Sequence, residues 1–167
     1  SVEDGIQATI GEYNLSDRFQ GQYEVHYEGV GGTVYSGTTP PTNAGTYSCT
    51  VKIPDSNVYY KSEPITVRLT IKKIATKTPK AAQAAAWTDT SVTLEAPSAF
   101  VDGTAIPAEY KLEYCVDQGE WQDSPVFTGL TPETTYNFYV RVKEGVNKTA
   151  SAASEAVTVQ TKKASSD

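Results

Sequence analysis

The sequence predicts an all-β protein built as two tandem antiparallel β-sandwiches. Three observations carry that expectation. Apolar residues recur at alternate positions in one short run after another, the period of strands with one buried face. Tyrosine is abundant at 11 residues and threonine recurs in nearly every apolar run, and both favour strands. Turn-forming residues separate the runs, a spacing typical of sandwiches. A length of 167 residues accommodates two small domains.

Taken in order, Ile6 to Ile10 and Gln22 to Glu28 are expected strands. "TYSCTVKI" places Tyr47, Cys49, Val51 and Ile53 on one face. "ITVRLTIK" points Ile65, Val67, Leu69 and Ile71 inward and Thr66, Arg68, Thr70 and Lys72 outward. "SVTLEA" offers Val92, Leu94 and Ala96, and "YKLEYCV" offers Tyr110, Leu112, Tyr114 and Val116. "YNFYVRVK" turns Tyr136, Phe138, Val140 and Val142 inward, with Asn137, Tyr139, Arg141 and Lys143 opposite. The alanine-rich "KAAQAAAW", Lys80 to Trp87, has helical propensity, but it follows a proline and is too short for a stable isolated helix. It is expected as an edge strand, and "ASAASEA", Ala150 to Ala156, likewise. The domains are expected at 1–73 and 81–162. A semi-rigid connector at 74–80 contains Pro79, and a further linker begins at 163–167.

Charge and composition exclude several functions. Through Lys72 there are 5 basic and 8 acidic residues, and beyond it 9 and 12, so each part carries −3 of the total −6. Neither part has the basic surplus that nucleic-acid binding needs. No apolar run approaches the roughly 20 residues that span a bilayer, so no membrane insertion is expected of this segment. The chain lacks methionine even at position 1, which reads as a segment that begins mid-gene or after processing. Cys49 and Cys115 fall in different halves and are read as two small, partly buried thiols.

The stretch "LTPETTY", Leu130 to Tyr136, precedes an alternating strand. A tyrosine in that place is the mark of a tyrosine corner, in which the hydroxyl meets backbone a few residues upstream and pins the crossover between sheets. Leu130 would plug the core below the turn. Together with "TDTSVTLEAP", "AEYKLEYCVDQGEW", "GLTPETTYNFYVRVKEG" and "SEAVTVQT", this part resembles the fibronectin type III family over about Thr78 to Lys162. That resemblance implies a core tryptophan in the strand occupied here by Leu94-Glu95-Ala96, so Trp87 or Trp121 is expected to fill the volume. The adhesive Arg-Gly-Asp tripeptide of some family members is absent from the matching loop "KEGVNKT", Lys143 to Thr149.

The first part carries a different signature. A Pro/Thr turn leads into Ala44-Gly45-Thr46-Tyr47, then a strand, a turn around Asp55 and Asn57, Tyr59-Tyr60, and a closing strand ending in lysines. This resembles the MBG type of bacterial surface repeat, an immunoglobulin-like β domain. Gly45 would supply backbone freedom at the start of the strand beginning with Thr46 and Tyr47.

No catalytic, cofactor or metal site is expected. His26 is the sole histidine and reads as a surface side chain in a strand. Asp117, Glu120 and Asp123 in "DQGEWQD" are spaced as no EF-hand loop and read as a polar hairpin turn. "PDSN", Pro54 to Asn57, reads the same way, and "GVGGT", Gly29 to Thr33, lacks the lysine of a phosphate cradle and reads as a loop. Asn14 and Asn147 head Asn-x-Ser/Thr sequons. The candidate ligand contacts are aromatic: Tyr60, Trp121 and Tyr139, whose planar rings could stack on sugars or anchor a protein. The expectation is a monomeric, non-catalytic spacer and interaction segment of a larger exported bacterial surface protein. Its other partners would be domains of the same polypeptide, and the alternative role is an adhesion or glycan-binding module.

Overall fold

The computed structural model describes residues 9–10, 13–14, 23–52 and 63–165. The chain divides into two compact units, Ser1–Lys72 and Lys73–Asp167. All regular structure among the described residues is β, and every pairing between strands is antiparallel. No helix there is long and apolar enough to cross a membrane.

The first unit holds β1 (Thr9–Ile10), β2 (Tyr13–Asn14), β3 (Glu24–Val30), β4 (Ser36–Gly37), β5 (Gly45–Lys52) and β6 (Ile65–Ile71). β1 pairs with β2, and the other four form a sheet in the order β4-β3-β5-β6. Alternation decides which side chains are buried. Tyr27 on β3 lies opposite Cys49 on β5, and Tyr27, Tyr47 and Cys49 are all buried. Val51 is half-buried, and Ile53 lies outside the described residues. After β3 the chain turns through Gly31 and Gly32, at φ 61° and 87°, conformations that a residue with a Cβ seldom takes. "GVGGT" is therefore a turn.

At Gly45 the expectation needs correcting. Its φ is not in the left-handed region. What requires glycine is proximity, since a Cβ there would sit 2.7 Å from Thr33 Cγ2 and 3.0 Å from Tyr47 Oη. Tyr47 donates its hydroxyl to the Asn43 carbonyl at 2.7 Å and meets Tyr35 edge-on, with ring centroids 5.7 Å apart. The inward row assigned to β6 also needs correcting. Leu69 and Ile71 are half-buried, whereas Ile65 and Val67 are exposed. β6 ends its sheet, and an outer strand has a described neighbour on one side only.

The second unit holds β7 (Gln83–Trp87), β8 (Val92–Glu95), β9 (Leu112–Val116), β10 (Val126–Phe127), β11 (Thr135–Val142) and β12 (Val157–Gln160). They form two three-stranded sheets, β10-β8-β7 and β12-β11-β9. Ala82, Val92, Leu94, Tyr114, Phe127, Phe138, Val140 and Val159 make the core between them. Lys80 to Trp87 contains an outer strand as expected, and its pairing with β8 slips by one residue between Ala84 and Ala86.

Three expectations fail here for identifiable reasons. Ala96 follows the end of β8 and is exposed. Trp87 is exposed and Trp121 is outside the core. The aromatic volume comes instead from Tyr114 and the Phe127–Phe138 pair, whose centroids are 5.0 Å apart. Residues 74–80 are bonded to the second unit: Ile74 donates to the Asn147 carbonyl at 2.8 Å and accepts from Thr149 N–H at 3.0 Å, Lys80 donates to Ala99 at 3.0 Å, and Pro79 is fully buried. Residues 150–156 form no regular strand. Ser151 and Ser154, three residues apart, each bond to β11 twice. Their N–H groups donate to the Val142 and Val140 carbonyls at 3.1 and 2.8 Å, and their hydroxyls accept from the Val142 and Val140 N–H groups at 2.8 and 3.1 Å.

Candidate functional site

The outward face of the β9–β11 pair carries a set of cross-strand side-chain contacts. Cross-strand register sets Cys115 opposite Tyr139 and Glu113 opposite Arg141. All four point away from the core residues Tyr114 and Val140, because side chains alternate along a strand. Yet Glu113 and Cys115 are buried, at 8% and 3% exposure. Something covers the outside of the sheet.

Trp121 returns to this face. After β9 the chain reverses at Asp117, which takes φ 52°, and Gly119 donates back to the Val116 carbonyl at 3.0 Å. Asp117 clamps this turn to β11: its Oδ1 accepts from Asn137 N–H at 2.9 Å, and its own N–H donates to the Asn137 carbonyl at 2.6 Å. Gln122 then exchanges two 2.8 Å backbone hydrogen bonds with Tyr114. That return lays the Trp121 ring over Arg141, whose guanidinium carbon is 4.2 Å from the ring centroid. Arg141 Nε donates to Glu113 Oε1 at 2.6 Å. The stack Trp121, Arg141, Glu113 fixes the indole in place, since each partner is ordered by the next.

Beside this stack lies a depression of about 350 Å³, lined by Trp121, Tyr139, Asp117, Gln118, Cys115 and neighbouring small residues. Burial pushes the Cys115 thiol above its ordinary range, an effect that nearby Arg141 partly opposes. The structure thus brings together two of the three aromatic candidates, Trp121 and Tyr139, while Tyr60 lies outside the described residues. The importance of Asp117, Glu113 and Arg141 to this face was not anticipated. Its signal was present: Glu113 and Arg141 are opposite charges in the outward rows of two neighbouring strands, and Asp117-Gln118-Gly119 has turn composition.

The remaining sequence candidates occupy other places. Tyr136 Oη accepts from Thr131 N–H at 3.0 Å, and Leu130 packs half-buried against the core. His26 Nε2 is 2.7 Å from Glu28 Oε1 on an exposed strand face, and Ser36 Oγ also donates to that carboxylate at 2.7 Å. Those two hydrogen bonds hold the Glu28 carboxyl below the usual carboxylate range. Asp123 pairs with Lys143 at 2.6 Å, so Asp117 and Asp123 of "DQGEWQD" are directed to separate partners. Among the described residues no three His, Cys, Asp or Glu side chains converge as metal ligands. Asn147 sits in an exposed loop with its carbonyl bonded to Ile74 N–H.

The second unit belongs to the class of β-sandwiches with two three-stranded antiparallel sheets closed over one core. No protein-family model matches the chain, and no curated protein matches it. Among solved structures it is similar to a fibronectin type III domain derived from the human KIAA0970 protein, at 17% identity and TM-score 0.38, covering 53% of this chain and 76% of that one. It is also similar to the chicken CNTN1 FN1-FN3 domains, at 12% identity and TM-score 0.42, and to domains A168-A170 from titin, at 16% and 0.34. Each of those two comparisons covers 84% of this chain and 56% of the other.

Proposed function

We propose that the chain is a pair of non-catalytic β modules, an MBG-type Ig-like repeat over 1–73 followed by a fibronectin type III-like module. They serve as spacer and interaction segments of a larger exported bacterial surface protein and work outside the cell. One observation carries the spacer reading. In the second unit the chain arrives at one end of β11 and leaves at the other. Ile74 is bonded to Asn147 and Thr149, beyond the C-terminal end of β11, whereas Lys162 accepts from Glu133 N–H, ahead of its first residue. β11 has 8 residues, so the two ties are separated by roughly 25 Å at strand rise. A module crossed from end to end adds length to a chain.

Small-angle scattering on the 167-residue chain tests the reading. A single compact body of this length would have a radius of gyration of about 15 Å. A spacer should exceed that clearly, and a value at the compact limit would overturn it.

A second reading, recognition through exposed aromatics, is favoured by the shared depression of Trp121 and Tyr139. A glycan array together with a pull-down against matrix proteins tests it. A specific hit abolished by Tyr139→Ala supports recognition, and the absence of any hit counts against it.

A further inference from the structure

We infer that the depression between Trp121 and Tyr139 receives a cationic side chain, arginine or lysine, of a partner protein. The inference rests on the reading of this face as a recognition surface. Charge complementarity selects the occupant. Aromatic faces attract cations, and desolvation strengthens the attraction. Trp121 already demonstrates this affinity within the chain, because it lies over the Arg141 guanidinium at 4.2 Å.

The local cations are committed. Arg141 is bonded to Glu113 and Lys143 to Asp123, each at 2.6 Å. Asp117, at the edge of the depression, uses Oδ1 to hold Asn137 N–H, and no cation pairs with it among the described residues. The depression therefore offers two rings and a carboxylate without an ion-pair partner among the described residues. The net charge of −6 would draw a basic segment toward the chain from a distance. A volume of about 350 Å³ suits one long side chain and lies at the small end of ligand pockets. The indole needs no reordering on binding, since Arg141 and Glu113 already hold it, and preorganisation of this kind lowers the cost of association.

The test is a titration of the ¹⁵N-labelled 167-residue chain, followed by amide and indole resonances. Three probes are used: a hexa-arginine peptide, a hexa-glutamate peptide and neutral cellohexaose. Hexa-arginine is expected to shift Gln118, Gly119 and the Trp121 indole N–H with saturation, and hexa-glutamate to leave them unmoved. Asp117→Asn removes charge while keeping an oxygen for Asn137 N–H, and asparagine tolerates the left-handed backbone. It should weaken the arginine peptide about fivefold, as should Tyr139→Ala. Shifts scattered over every acidic surface, or an affinity indifferent to Asp117→Asn, would overturn the inference. Cellohexaose moving these resonances where hexa-arginine does not would sink the cationic occupant and leave the recognition reading standing. No shift with any probe would remove both.

Discussion

The backbone N–H of Thr131 donates to the hydroxyl of Tyr136 across 3.0 Å. This single contact ties the turn before β11 to the strand that follows it. Tyr136 also packs against the core, with its ring 6.4 Å from that of Phe138. Tyr136→Phe keeps the ring and deletes only the acceptor. The expected loss is about 1 kcal/mol, the ordinary net value of such a bond. Urea denaturation of the second unit reads it, and an unchanged midpoint would show that the hydroxyl contributes nothing to the corner.

Ser151 and Ser154 supply the hydroxyls that accept the N–H groups of Val142 and Val140, two fully buried positions. Alanine at either serine leaves a buried donor without its partner. Each change should cost about 1–3 kcal/mol, more than an exposed serine would. Hydrogen exchange provides the site-specific check: the amide of Val140 should lose protection in Ser154→Ala and that of Val142 in Ser151→Ala.

A side chain at Gly45 would collide with Thr33. Gly45→Ala is expected to destabilise the first unit by about 1–3 kcal/mol through overpacking. Thr33→Ser removes the methyl 2.7 Å from the added carbon, so the double variant should recover part of the loss. Additive effects in thermal melts would refute steric conflict as the cause.

Both thiols are buried, and burial is the leading cause that raises each above the ordinary thiol range. Since the thiolate is the reactive form, Cys49 and Cys115 should react slowly with a disulfide reagent near pH 8 and quickly after denaturation. Fast labelling of the folded chain would contradict their placement.

Asp102 is held well below the usual carboxylate range, first by the hydrogen bond from Lys77 and then by Thr104. Its folded value is depressed relative to the unfolded one. The group therefore contributes stability above the unfolded carboxylate range near about pH 4, and that contribution is lost as pH falls through the folded value. The pair is exposed, so the effect is small. Stability should drop less steeply below about pH 4 in Asp102→Asn than in the parent chain, and parallel profiles in chemical denaturation would exclude the contribution.

The inward rows of the second unit were legible because period-two alternation is a local property: Val92 and Leu94, then Phe138, Val140 and Val142, are all buried. The turn at "LTPETTY" was legible for a similar reason, since its residues are contiguous. What the sequence hid depends on which segments meet. β6 alternates as cleanly as β5, but its place at the end of the sheet leaves Ile65 and Val67 exposed. Pro79 argued correctly against helix, yet only the strip around Ala99 to Val101 and the loop at 147–149 turn residues 74–80 into bonded structure. Cys115 and Glu113 alternate as surface residues, yet they are buried on the face where Trp121 returns over Arg141. For the candidate site, aromatic type together with an outward strand position for Tyr139 and a place after a hairpin turn for Trp121 nominated the two rings, while the pairing of Arg141 with Glu113 required the cross-strand register.

The one-residue slip between Ala84 and Ala86 also bears on how such chains behave when crowded together. A long regular rim of unused amide and carbonyl groups is a template on which a neighbouring molecule can extend the sheet, the first step of fibril growth. β7 spans only 5 residues and is interrupted in the middle, so its rim is too short and too irregular to seed a foreign strand. Many copies packed side by side would remain separate molecules along this border.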